Sequence, residues 1–208
     1  MNQPRNQRRT RGPAADTHER LLAGTLHCLR TGGIERTTIA AVSRASGVSR
    51  PTIYAHFASL DDLIHEAVQS AAVDLSARLG RGITDIELPG DRLVEFVVAA
   101  HREFKADPVV GLLMDVTVAP GLSHHGTMPA AMFELSRGPV AAVLRNDPEA
   151  LARLDEIIET TMRFLLSVLT YRSENTNTDE RLRAYLRRTL VPALGLSGRP
   201  AELNGARA

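Results

Sequence analysis

Residues 37–57 read TTIAAVSRASGVSRPTIYAHF, and this stretch decides the fold. Thr37 or Thr38 is suited to cap a first short helix, along which Ile39, Val42, Ser43 and Ser46 recur at helical spacing on one side. Gly47 supplies a sharp turn, Val48 fills the angle between two helices, and Ser49 caps a second helix. Pro51 falls in that helix's first turn, where a missing N–H costs nothing. Ile53 and Phe57, four apart, face inward and turn Arg50, Thr52, Tyr54, Ala55 and His56 outward. Two short helices, a tight turn and an exposed polar edge form a helix-turn-helix, with an edge suited to DNA.

Upstream, the spacing predicts a supporting helix from Asp16, with Glu19 in a capping-box position, through Leu22, Leu26 and Leu29 to a stop at Gly32-Gly33. Ile34 and Ile39 add apolar contacts. Met1 to Ala15 has no periodicity and reads as disordered. Two readings of its arginines stay open: minor-groove or phosphate contacts by Arg8, Arg9 and Arg11, or a solvated tail. Charge distribution favours a nucleic-acid partner for the N-terminal part. The net charge is +1, but residues 1–60 hold nine arginines against three acids, a net of +6, and the remainder carries −5. A basic head on an acidic body is the footprint of a DNA-binding module.

The same residues resemble the TetR family of bacterial transcriptional regulators. The resemblance is carried by Thr37-Thr38, Gly47-Val48-Ser49 and Tyr54-Ala55-His56-Phe57, followed by Ser59, Asp61, Asp62 and Leu63 at the start of a fourth helix. Ser43 and Ser46 stand where the family usually has alanine, a change that close packing should tolerate. Leu60 stands where a phosphate-binding lysine is common, so the resemblance does not carry that one backbone contact over to this chain. The resemblance implies that Thr38, Tyr54 and His56 hold phosphates. Ser49, Arg50, Thr52 and Ala55 would meet bases, Arg50 as a bidentate partner of guanine. Arg44 adds a further cation on the DNA side.

Beyond the head, Ser59 opens a fourth helix whose stripe Leu60, Leu63, Ile64, Ala67, Val68, Ala71 and Leu75 runs for several turns and links head to body. A loop over Gly80–Gly90 follows, then a helix over Asp91–Ala106 with Val94, Val97, His101 and Phe104 on one face. Pro108 to Val118 reads as a buried helix, 120–129 as a loop, and Ala130 to Asn146 as a helix kinked at Gly138-Pro139. Methionines and aromatics here, among them Phe104, Met114, Met132, Phe133 and Met162, serve either a core or an adaptable apolar pocket. Val97, His101 and Asp115 complete the candidate effector contacts. His101 is either a satisfied core histidine or a ligand contact, and Asp115 either an acceptor for a helix end or a ligand anchor.

Two long helices, Pro148–Arg172 and Thr178–Leu194, close the chain, and everything after Gly195 reads as a frayed tail. The resemblance implies that they pair across a homodimer in a four-helix interface, through Leu154, Ile158, Leu165, Val168, Leu182, Tyr185, Leu186 and Leu190. The competing reading is that they cover the subunit's own core.

The expected fold is therefore all-α: a disordered arm (1–13), a three-helix head (14–60), a helical-bundle domain for ligand binding and dimerisation (61–195) and a flexible tail (196–208). Its function is expected to be operator binding, most simply as a repressor released by a small, largely apolar effector. A regulator controlled only by protein partners is an alternative. So is a helical-bundle metal or ligand-binding enzyme, but phosphate loops, a Walker pattern and His-Glu-x-x-His are missing, and no cofactor is expected. His124-His125 with His101 and Asp115 make a weak metal set. The single cysteine, Cys28, fits a reducing compartment and helix core. Neither a Sec nor a twin-arginine signal follows Arg8-Arg9, and no apolar run is long enough for a membrane span, so the protein is expected to be cytoplasmic.

Overall fold

The computed structural model describes residues 13–83, 85–112, 130–171 and 173–198. The chain divides after Ala67 into a head and a body, and helix α4 supplies residues to both.

In the head, α1 spans Pro13–Arg36, α2 Ile39–Ser46 and α3 Arg50–His56, and α4 begins at Leu60. Proline at the first position starts α1 without losing a useful N–H, so Asp16 lies inside the first turn and does not cap it. The expected stop at Gly32-Gly33 is a kink: Gly33 adopts φ 69°, and a last helical stretch continues to Arg36. The face of α1 that enters the core is rotated by about one residue from the expected one. Leu21, Thr25, Cys28 and Leu29 are buried, while Leu22 and Leu26 are half-buried. Small residues on this face let α2 approach closely. A Cβ on Gly24 would stand 2.8 Å from Ser46 Cβ and 2.9 Å from its backbone nitrogen. Leu21, Cys28, Val42, Val48, Ile53, Phe57 and Leu63 form the head's core, whereas Ile34 is exposed and adds little. Burial pushes the Cys28 thiol pKa up, which keeps it protonated and unreactive.

The body contains the rest of α4 (Leu60–Arg81), α5 (Pro89–Ala106), α6 (Pro108–Gly111), α7 (Ala130–Val143), α8 (Pro148–Ala152), α9 (Leu154–Thr170) and α10 (Asp179–Ala193). The helix expected over Pro148–Arg172 is two, broken at Arg153, whose ψ of 23° leaves the helical range. Of the apolar helix expected over Pro108–Val118, residues 108–112 fall among the described ones, and Pro108–Gly111 form a helical turn.

Two devices hold the body. First, α5 and α10 run antiparallel and are laced by Asp91–Arg187, a forked Glu95–Arg183 contact and Arg102–Asp179. Second, Arg92 is wholly buried. Its guanidinium donates to the carbonyls of Ile86 and Glu87, before α5, and to that of Val143 at the C-terminus of α7. The last carbonyls of a helix have no partner within it and carry partial negative charge, so a cation there is favourable. The connection over 82–88 is pinned in this way, with Ile83 buried beneath it.

The end of the chain departs from the expected frayed tail. Leu196 is buried, and the Gly90 amide donates to the Ser197 carbonyl at 2.8 Å. A Cβ on Gly90 would strike that carbonyl at 2.7 Å, so glycine is required there. Among the described residues, no helix is long and apolar enough to cross a membrane.

Candidate nucleic-acid interface and effector cleft

The helix-turn-helix is built by short polar contacts around its turn. Thr38, not Thr37, caps α2: its Oγ1 accepts from the Ala41 amide at 3.2 Å, while Thr37 is buried and donates to the Gly33 carbonyl. Gly47 ends α2 at φ 67°, a left-handed conformation that glycine adopts without strain. Arg20 reaches from α1 to the carbonyls of Ser46 and Gly47 and neutralises that helix end. Ser49 caps α3, and its hydroxyl lies 2.7 Å from that of Thr52. The two serines at the family's alanine positions cross-brace the turn. Ser43 donates to the Val48 carbonyl at 2.7 Å, and Ser46 donates to Val42 while accepting from the Val48 amide.

This scaffold buries Ile53 and Phe57 and leaves one edge of α3 in solvent. Ser49, Arg50, Tyr54, Ala55 and His56 are exposed, Thr52 is half-buried, and Thr38 and Arg44 are exposed beside them. Tyr54 is 59% exposed, a large aromatic that the core does not need. Since Thr38 Oγ1 spends a lone pair on its cap, its O–H remains free to donate to a phosphate. The His18 ring stacks on Phe57 at 5.3 Å, sits 6.3 Å from His56 and lies 2.6 Å from the Glu66 carboxylate, bracing the back of α3. Nothing in the sequence reading pointed to His18. Arg8, Arg9 and Arg11 lie outside the described residues.

Comparison with known proteins gives this arrangement a lineage. Residues 21–67, which contain all of α2 and α3, match the family model of the bacterial regulatory proteins, tetR family. Over those residues the head of this chain is similar to the TetR family. That family consists of transcriptional regulators, not enzymes. An uncharacterized HTH-type transcriptional regulator of Mycobacterium tuberculosis is 28% identical over 108 residues, 50% of this chain and 53% of that protein, so the match spans about half the length of such curated relatives. The TetR-type fold extends over the body. The crystal structure of RolR in complex with resorcinol superimposes with a TM-score of 0.63 at 15% identity, covering 92% of this chain and 98% of that one. A TetR transcriptional regulator from Rhodococcus sp. RHA1 gives 0.56 at 19% identity, with 85% and 97% covered. The multidrug binding protein EbrR complexed with imidazole gives 0.54 at 21%, with 82% and 93% covered.

The body holds an apolar cleft between α4, α5, α7 and α9. Leu75, Phe96, Phe104, Pro139, Met162 and Leu165 form most of its wall, and about 530 Å³ of space is enclosed when the solvent-open mouth is included. Of the candidate effector contacts, Phe104 and Met162 line it. Val97 is fully buried among packed helices, and Phe133 lies on α7 with the Arg137 guanidinium 5.8 Å over its ring. His101 lines a separate, more polar cavity with Lys105, Val168, Leu169, Thr176 and Asn177. Met114 and Asp115 lie outside the described residues, as does the side chain of Met132. The sequence reading missed the α4 wall and Phe96. Their signal was the Phe96-Ala100-Phe104 stripe, in which a small residue four positions from each of two aromatics leaves a hollow.

Of the expected dimer residues, Ile158, Leu165, Val168, Leu182, Leu186 and Leu190 are buried within the single subunit. Leu154 and Tyr185 are half-buried.

Proposed function

We propose that this chain is a sequence-specific DNA-binding regulator, acting as a repressor released from a palindromic operator by a small, largely apolar effector. One observation carries the reading: α3 buries Ile53 and Phe57 and presents Arg50, Thr52, Tyr54 and His56 on a free edge, framed by Thr38 and Arg44. Arg50 would take a guanine in bidentate fashion, worth about 1–3 kcal/mol of discrimination. Thr38, Tyr54 and His56 would fix the register on phosphates, and the arm with Arg8, Arg9 and Arg11 would add salt-dependent attraction.

The effector would enter the α4, α5, α7 and α9 cleft, whose wall is almost wholly apolar. That RolR and EbrR were crystallised with small molecules supports an effector-bound body here. Because α4 contributes to both head and cleft, its displacement would couple effector to operator. A coupling of roughly 1–3 kcal/mol would lower operator affinity about 5- to 150-fold. Two heads are needed to read a palindrome, so the active species would be a homodimer, using Leu154, Tyr185 and neighbouring exposed parts of α9 and α10.

Selection of bound sequences from a random duplex pool tests this, with the Arg50→Ala protein alongside. A palindromic motif that loses one base preference in the variant is the expected result. No enrichment even at low salt, where phosphate attraction is strongest, would overturn it.

A further inference from the structure

The cavity beside His101 differs from the apolar cleft in position and in chemistry. His101 and Lys105 lie roughly 120° round α5 from the Phe96, Ala100 and Phe104 stripe, counting 100° per residue. The cavity is walled on one side by Val168 and Leu169 of α9 and on the other by Thr176 and Asn177, just before α10. It encloses about 590 Å³ counted to its mouth.

His101 is only 6% exposed, yet its ring forms no hydrogen bond among the described residues. The ring nitrogens are not sealed off but open on the cavity, where a ligand acceptor can take the place of water. The neighbouring groups define that ligand. Lys105, the only lysine in the chain, forms no ion pair among the described residues. Asn177 is exposed at the rim, and the adjacent N-terminus of α10 adds the positive end of a 15-residue helix. Two groups that would repel or compete are already engaged. Asp179 accepts both donors of Arg102, at 3.0 and 3.2 Å, and the Thr176 hydroxyl is tied into the turn with Ser173. What remains is a set of donors and a cation above an aliphatic floor.

We propose that this cavity binds a small monocarboxylate, its acid group held by Lys105 Nζ, the His101 ring and the Asn177 amide, and its hydrocarbon resting on Val168 and Leu169. The site stands independently of operator binding and of the apolar cleft. A single charged oxygen pair matches the three donors, and one short apolar body matches the two aliphatic side chains. Neutral ligands would leave Lys105 without a counter-ion, and dicarboxylates would bring a second charge against Leu169.

Titration of the full-length protein with benzoate, with benzamide as the neutral control, tests the assignment by calorimetry and by histidine-ring NMR. The His101 signal is assigned with His101→Gln. Benzoate should bind saturably and shift the His101 resonance, and benzamide should do neither. Lys105→Met, an exposed change that leaves the fold intact, should weaken benzoate at least tenfold. Affinity should also rise several-fold from pH 7.5 to 5.5, because protonated His101 adds a second cation beside Lys105, with Asp179 and Arg102 neutralising each other. Equal binding of benzamide, an unchanged affinity in Lys105→Met, or no shift at His101 would each overturn the proposal. Benzoate shifts at Phe104 and Met162 alone would place it in the apolar cleft and overturn it as well. None of these outcomes bears on operator selection, so failure here and failure of the regulator reading are distinguishable.

Discussion

The Ser76 hydroxyl of α4 donates to the Leu135 carbonyl of α7 at 2.8 Å. Four residues after Leu135 stands Pro139, inside α7, with no N–H to give. Ser76 therefore fills the hydrogen bond that the proline leaves open, and both residues lie on the wall of the apolar cleft. The turn of α7 at which a kink was expected is thus bonded to α4 across that cleft.

Ser76→Ala should destabilise the protein by about 1–2 kcal/mol, since a part-buried carbonyl loses its donor. Pro139→Ala restores the helical N–H, so the same serine change made in that background should cost markedly less. Urea unfolding of the four proteins measures the coupling. Additive effects would show that the two residues do not share the Leu135 carbonyl.

Gly24→Ala should destabilise the head, although alanine in a helix interior is normally worth about 1 kcal/mol over glycine. The added methyl would lie within 3.0 Å of Ser46 Cβ, N and Cα, and backbone there cannot swing aside. Overpacking of this kind costs about 1–3 kcal/mol, and the sign of the change in melting temperature decides which effect wins. Ser46→Ala should cost about 1 kcal/mol through the lost Val42 and Val48 contacts.

Arg92→Met should cost about 2–5 kcal/mol, because the buried carbonyl of Val143 and the part-buried carbonyls of Ile86 and Glu87 lose a shared donor. Arg92→Lys should recover only part of this, as one ammonium cannot span both the connection and the end of α7. Denaturant midpoints check the order wild type, Lys, Met. A Met protein as stable as wild type would mean that water satisfies those carbonyls.

Acid should destabilise the body through His101. Burial, helped by Lys105 and opposed by Asp179, holds its pKa below the ordinary 6.5. The unfolded chain then binds the proton more readily than the folded one, so stability contributed at this site is full above the unfolded value and falls as pH drops through and below it. Unfolding free energies at pH 7.5 and 5.5 should differ more in wild type than in His101→Gln. Equal differences would show that His101 titrates as in a free peptide.

Local chemistry made the head legible. Thr38, Gly47, Ser49 and Pro51 are capping and turn signals whose meaning is fixed within a few residues, and the spacing of Ile53 and Phe57 fixed which edge of α3 is exposed. The α4, α5, α7, α9 and α10 elements were legible by the same periodicity. Periodicity says that a face is apolar, however, and not what covers it. The stripes of α9 and α10 were therefore open to two readings, and only the structure shows that Ile158, Leu165, Leu182 and Leu186 are buried within one subunit.

By itself, then, the sequence determined the helices, their caps and the polar edge of the head, because these depend on neighbours three or four residues away. Only the tertiary structure decided what depends on residues far apart in the chain. It seated Arg92 between Ile86 and Val143, gave Ser76 the carbonyl that Pro139 left open, and turned His101 and Phe104 of one helix into two different cavities. The physical reason is that a buried donor, an orphaned carbonyl and a hollow are each defined by which distant groups come to surround them, and helical spacing carries no record of that.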